Sequence, residues 1–423
     1  MSSSVASVEN GELPISFNKQ PQKNRQWRKF LSTVWEIKFS HDTKKVIHSI
    51  KVGIALVLVS LLYLIDPLFK QVGENAMWAI MTVVVVFEFY AGAMLSKGIN
   101  RGIGTIVGGA LGCLAAILAD DCGKIGNAII VAVSVFSFGT MATYFRMVPS
   151  IKKRYDYGVM IFILTFNLVV VSGLRADTVL MLARQRLSTI GMGFAVCIFI
   201  NLLIFPMWAS DELHDNTSSK FHKLASSIEG CLDEYFGKAE GDKENQHKVY
   251  LSGCKSVLHS KSTDESLANF SKWEPWHGKF GIMYPWGKYL EIGEILRELA
   301  TIILALKGCI NSSRQPSQSS RQSIRESCEI VGLSLAKMLR ELGESILKMR
   351  KSRARVLMSP KLQSLKQDLN LHQKIKSLEN EENIGVISFL FLFTEIVEKV
   401  ETLAKKVEEV ENLASFQSKI PQV

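Results

Sequence analysis

Charge is scarce between residues 52 and 207, so every ionic side chain there is a candidate for chemistry. Lys97 and Arg101 stand four apart in SKGINR, Arg184 and Arg186 sit in LARQRLST, and Glu88 lies in TVVVVFEFYAG. With Lys97 and Arg101 at the cytosolic end and Arg184 and Arg186 at the other, fixed positive charge at both mouths of an intramembrane path would attract anions and repel cations. An ionised carboxylate in an apolar span costs on the order of 3 kcal/mol, so Glu88 must be paired, protonated or wetted. Two readings stand for it: a structural partner for a cation such as Lys97 or Arg101, or a proton-coupling acid. Lys97 and Arg101 read either as pore charges or as an ordinary cytoplasmic pair that sets orientation. Arg186 reads as a pore charge or as an interfacial residue that snorkels.

Other chemistry finds no residues to carry it. All eight histidines (His41, His48, His214, His222, His247, His259, His277, His372) fall outside the apolar stretches, and HExxH, GxSxG and the kinase motif set are missing. The expectation is therefore no enzyme, no catalytic residue, no metal and no cofactor. His214 and His222, eight apart on an expected helix, read as a solvated face. Seven cysteines contain no CxxC pair, which points to a reducing setting rather than to zinc or a disulfide framework.

The elements that must position these side chains follow from composition. The chain has 423 residues, 47% of them hydrophobic and 21% charged, with a net charge of +10. Its mean hydropathy of +0.15 averages two unlike halves. Residues 1 to 51 hold 9 Lys and Arg against 4 acids, residues 52 to 207 hold 11 against 7, and the remainder holds 30 against 29. No part is basic enough for a large nucleic-acid surface. The first 30 residues lack an apolar core, so an ordinary cleaved signal peptide is not expected.

Against the roughly 20 apolar residues needed to cross a bilayer, six spans are expected: Ile50 to Ile65, Gly73 to Leu95, Gly102 to Ala119, Gly126 to Phe145, Tyr157 to Gly173 and Leu187 to Trp208. With a cytosolic N-terminus, the inner loops Ser96 to Arg101 and Arg146 to Asp156 carry six cations against one acid, as Lys and Arg enrichment on that side requires. The outer connection Leu174 to Arg186 departs from that trend. In GIGTIVGGALG, Gly104, Gly108 and Gly112 share one helix face and predict close helix packing. Both termini are then cytosolic, giving a basic segment 1–47, a membrane domain 48–208 and a helical domain 209–423. In the last, helical spacing marks Leu213 to Phe236, Leu290 to Leu306, Ile324 to Met349, Leu362 to Leu378 and Val386 to Phe416. Asn311 to Ser323 reads as a break, and WEPWHGKFGIMYPW (Trp273 to Trp286) as an ordered, aromatic-anchored loop. The charge alternation of EIVEKVETLAKKVEEVENL suits an exposed or partner-packed helix.

Several blocks resemble the plant aluminium-activated malate transporter family of anion channels: NAMWAIMTVVVVFEFYAGAMLSKGINRGIGT (Asn75 to Thr105), YDYGVMIFILTFNLVVVSG (Tyr155 to Gly173), RLSTIGMG (Arg186 to Gly193), PMWASDELH (Pro206 to His214) and WEPWHGKF (Trp273 to Phe280). The likeness runs from about Lys44 to Leu306. It implies a homodimer in a lipid membrane, six spans per protomer, a helical cytosolic domain and an anion path lined by basic residues. By that resemblance the pore arginines fall on Arg101 and Arg186, with Lys97 a further basic position. The expected function is a passive channel for malate, with chloride and nitrate as further anions, in the plasma or vacuolar membrane. The alternative is a proton-coupled exporter of aromatic acids or drugs, with Glu88 carrying the proton; a non-conducting membrane scaffold is a third. Aluminium-gated members use acids on the outer loops, whereas here only Asp66 and Asp177 stand near such positions. Aluminium, a hard trivalent cation, needs several converging oxygens, so gating by it is not expected.

Overall fold

The computed structural model describes residues 41–64, 77–120, 123–173, 179–237, 243–281, 284–310, 318–352 and 384–416. These are nearly all helical, with no strand among them. The chain divides into two compact units, Met1–Gly53 and Ile54–Val423. Of the first, only the start of helix α1 (His41–Leu64) is described. The rest of α1 and all the other described helices belong to the second.

After α1, the described part of the apolar half is carried by α2 (Met77–Val86), α3 (Ala91–Asp120), α4 (Gly123–Met147), α5 (Pro149–Gly173) and α6 (Val179–Leu203). Helices α3 to α6 contain stretches long and apolar enough to cross a membrane, while α2 is apolar but only ten residues long. The expected span Gly73 to Leu95 is therefore not one helix. It stops at Val86, and Phe87 to Tyr90 are non-helical without any Pro or Gly among them. Other elements take up backbone groups freed by the break, as an apolar surrounding demands. The Ala91 N–H donates to Met207 O at 3.0 Å and Asn201 Nδ2 to Glu88 O at 3.5 Å.

The expected inner loop Ser96 to Arg101 is likewise corrected: it forms part of α3. A hydropathy average reads two cations as the end of a span. On a helix they fall on one face, and nothing in SKGINR stops the turn from continuing. At the second loop expected on the inner side, only Val148 separates α4 from α5. Pro149 opens α5, where its missing N–H has no helical partner to lose. The corner is pinned by Arg146, whose Nε and Nη2 meet Asp156 Oδ1 and Oδ2 at 2.8 and 3.3 Å.

Helices α3 and α5 run parallel and touch along the glycine stripe. A Cβ at position 104 would run into Gly158 O; one at 108 would lie 2.8 Å from Phe162 O, and one at 112 would lie 2.9 Å from the Val169 Cβ. Only glycine lets the two backbones approach this closely. The expected close packing is what the helices do.

The second half is a bundle of α7 (Ala209–Phe236), α8 (Lys243–Leu258), α9 (Lys261–Ser271), α10 (Trp286–Ile310), α11 (Gln318–Lys348) and α12 (Ile384–Leu413). Helix α7 buries Leu213, Thr217, Phe221, Leu224, Ile228, Cys231 and Tyr235, a spacing of three and four that keeps one face on the core. Gly237, at φ 74°, ends it in the left-handed conformation that suits glycine. Helix α12 buries Phe389, Phe393, Ile396, Val400, Leu403 and Val407 at the same spacing, and the Phe389 ring stacks 3.9 Å from that of Tyr235. Each such side chain gains about 1.5–3 kcal/mol over exposure, so α12 is a core helix despite its charges. Helix α11 opens at Gln318, so the later part of the expected break is helical. The expected helix Leu362 to Leu378 lies outside the described residues. His214 is also corrected: it is buried, with Nδ1 3.0 Å from Tyr289 Oη and Nε2 donating to Leu347 O at 3.3 Å. Burial pushes its pKa below the usual imidazole value.

Candidate functional site

Four helices converge on the two arginines that the sequence singles out. A small cavity is lined by Trp78 of α2, Arg101 and Thr105 of α3, Thr165 of α5, and Arg186 of α6, with Ile161, Leu164 and Ile190 supplying apolar wall. Its free volume is about 10 Å³, room for about one water molecule. Arg101 and Arg186 therefore meet in one constriction rather than guarding opposite mouths. Counted at about 1.5 Å per residue, Arg101 lies roughly 15 Å from the start of α3 and Arg186 roughly 25 Å from the end of α6, both well inside their helices.

Each guanidinium is held by a neighbour that is not a carboxylate. Arg101 is 5% exposed, and its Nη1 donates to Tyr157 Oη at 3.0 Å. Arg186 lies over the ring of Trp78, with Cζ 4.4 Å from the ring centroid. A cation–π contact of this kind fixes position while leaving the positive charge uncancelled. The Nε atoms of both arginines and the Thr105 hydroxyl are buried with no hydrogen-bond partner. Next to this constriction a larger cavity of about 260 Å³ shares Thr105, Thr165 and Arg186 and adds Arg184 and Cys113. Arg184 thus extends the basic lining away from Arg101.

Lys97 stands apart. It forms an ion pair with Glu88 across the break between α2 and α3, so its charge is offset. Among the sequence candidates, Arg101 and Arg186 come together, whereas Lys97 and Glu88 neutralise each other outside the constriction. Trp78, Thr105, Tyr157 and Thr165 were not singled out from the sequence. Thr105 has a readable signal, its place four residues after Arg101 on the same helix face. Trp78 has none, because only the packing of α2 on α6 brings it to Arg186.

The bundle meets the spans through the WEPWHGKF loop. Helix α7 has no capping side chain of its own, since its N-cap is Trp208. Glu274 supplies the cap from a distance: its Oε1 accepts from the Ala209 N–H at 2.6 Å and its Oε2 from the Ser210 N–H at 3.2 Å. A carboxylate there satisfies orphan N–H groups and complements the helix dipole. His277 stacks on Trp208 at 3.7 Å, and its Nε2 lies 3.1 Å from the Ser210 hydroxyl. On the membrane side, Arg154 of α5 lies 5.4 Å from the Trp273 ring centroid, and Gly92 of α3 packs on Phe270 O at the end of α9.

Residues 35–384 match the family described as Aluminium activated malate transporter. Aluminum-activated malate transporter 14 of Arabidopsis thaliana is 44% identical over 347 residues, covering 81% of this chain and 63% of the relative. Aluminum-activated malate transporter 2 of the same plant is 41% identical over 384 residues, covering 89% and 77%. Aluminum-activated malate transporter 1 of Triticum aestivum is 36% identical over 392 residues, covering 89% and 84%. The chain spans 63%, 65% and 61% of the lengths of transporters 14, 13 and 12.

Proposed function

Because the chain belongs to the aluminium-activated malate transporter family, we propose that it is a passive anion channel, conducting malate and smaller anions such as chloride or nitrate past Arg101 and Arg186. The observation that carries this reading is the meeting of two arginines in one cavity with no acid among its lining residues. At an effective dielectric constant of about 20, a unit charge about 4 Å from each guanidinium gains on the order of 4 kcal/mol per contact. That is enough to offset part of the cost of dehydrating a carboxylate. An inside-negative potential adds about 2.3 kcal/mol per charge per 100 mV, so efflux of a dianion from the cytosol needs no pump.

The wider frame is part of the same proposal. It comprises six spans, cytosolic termini, a membrane domain followed by a cytosolic bundle, a homodimer, and residence in the plasma or vacuolar membrane. The Glu88 ion pair with Lys97 supports the channel over a proton-coupled exporter, since it occupies the one carboxylate such a relay would use. Reversal potentials test the reading. A channel follows the anion gradient alone, with no shift when only the pH gradient changes. A reversal potential that tracks the pH gradient would point to the exporter, and absence of current to a scaffold.

A further inference from the structure

Threonine hydroxyls inside helices usually find the carbonyl four residues back. Thr82, Thr143, Thr217, Thr301, Thr394 and Thr402 all donate in this way, at 2.6 to 3.0 Å. Thr105 does not. It is 4% exposed, its hydroxyl has no partner, and it is the one threonine among the buried unpartnered groups of the described residues. It lines both the constriction and the larger cavity beside it. Two further donors, Arg101 Nε and Arg186 Nε, are also unpartnered in the same constriction.

A buried polar atom without a partner carries a desolvation cost. Three of them on residues that line one small space describe a place suited to a guest that accepts hydrogen bonds. The three are donors of different direction, two from planar guanidinium groups and one from a rotatable hydroxyl. A spherical halide draws on their charge, while a carboxylate presents several oxygens at fixed angles and engages them one by one. We propose that Thr105 is a third ligand for the permeating anion and that its hydroxyl raises selectivity for carboxylates over halides. This inference rests on the channel reading and adds an uncharged residue to the two arginines.

The test is the malate-to-chloride permeability ratio of the full chain, read from reversal potentials under bi-ionic conditions, which does not depend on surface abundance. Thr105→Val keeps the shape and removes the hydroxyl. It should lower the ratio roughly three- to tenfold, about the net worth of one ordinary hydrogen bond. Thr105→Ser, which keeps the hydroxyl, should stay within about twofold of the parent. Thr105→Ala should repeat the valine result without its bulk. An unchanged ratio in either the valine or the alanine variant overturns the proposal. So does a serine variant as impaired as valine, because that pattern belongs to packing. An unmodified chain that passes no malate current overturns the channel reading itself, a failure visible before any variant is made.

Discussion

The spans and the bundle treat polar groups in opposite ways. In the bundle, buried charge is paired. Lys220 Nζ lies 2.5 Å from Asp264 Oδ2, which also accepts from Arg297 at 3.3 Å and from the Ser260 hydroxyl at 3.0 Å. Arg340 grips Glu229 through both nitrogens at 2.6 and 2.5 Å, and Lys307 pairs with Glu234. Among the described residues there, the buried polar atoms without a partner are Trp273 Nε1, Tyr235 Oη and Arg321 Nε, the last two on neighbouring side chains. In the spans, Arg101, Arg186 and Thr105 line a shared cavity, and each has a buried donor without a hydrogen-bond partner. Packing differs as well, with aromatic and aliphatic side chains filling the bundle and glycine backbones meeting between α3 and α5. Where donors are satisfied the side chain holds structure; where several are left open together, the space between them is the working part.

The comparison breaks first at the arginines. Replacing Arg186 or Arg101 with Ala removes one positive charge per protomer from a weakly screened path. Current per channel at matched surface abundance should fall by roughly tenfold or more, about 1.4 kcal/mol at the least. Lysine should restore part of it, keeping the charge without the planar fork. Equal current in Arg186→Ala would remove that arginine from the path.

The bundle should respond in stability rather than in selectivity. Asp264→Asn leaves Lys220 and Arg297 without their shared counter-charge, and breaking a buried pair costs about 3–5 kcal/mol. Thermal unfolding of the purified protein should move down by several degrees, while surviving channels keep the parental permeability ratio. An altered ratio would show that the two regions are not separate in function.

Gly104→Ala should cost about 1–3 kcal/mol through overpacking, seen as a lower melting temperature. Gly109→Ala, where a Cβ meets nothing within 4 Å, should cost nothing or gain slightly. Similar losses at both positions would mean that the stripe is not the contact.

The smallest expected effect is that of external aluminium. Asp66 and Asp177, the only acids near the relevant outer positions, lie outside the described residues and form no cluster in sequence. Current at acid pH should change little on adding aluminium, and a several-fold rise dependent on Asp177 would overturn this.

Much of this was legible in the sequence for a physical reason. Helices α7 and α12 declare themselves because a buried face repeats every three or four residues, and the stripe of Gly104, Gly108 and Gly112 because small residues four apart have few other uses in a span. The break at Phe87 to Tyr90 was not legible, since no Pro or Gly marks it and its backbone groups are taken up by Met207 and Asn201, more than 100 positions away. For the same reason Glu274 read only as part of a loop. Its capping of α7 depends on what docks there, and a capping residue 65 positions from its helix leaves no local spacing to detect. Lys97 and Arg101 misled in the other direction, since charge inside α3 looks like the end of a span.

The contact at Gly92 gives α3 the mechanics of a cantilever. Its first turn lies against the backbone of Phe270 and the side chain of Glu274, so its root is clamped by the bundle while its working length runs between α5 and α6. A tilt of about 5° at that root would carry Arg101, roughly 15 Å along the axis, through about 1.3 Å. That displacement separates a hydrogen bond from none. The seating of a single methylene at the root therefore sets the aim of an arginine it never touches.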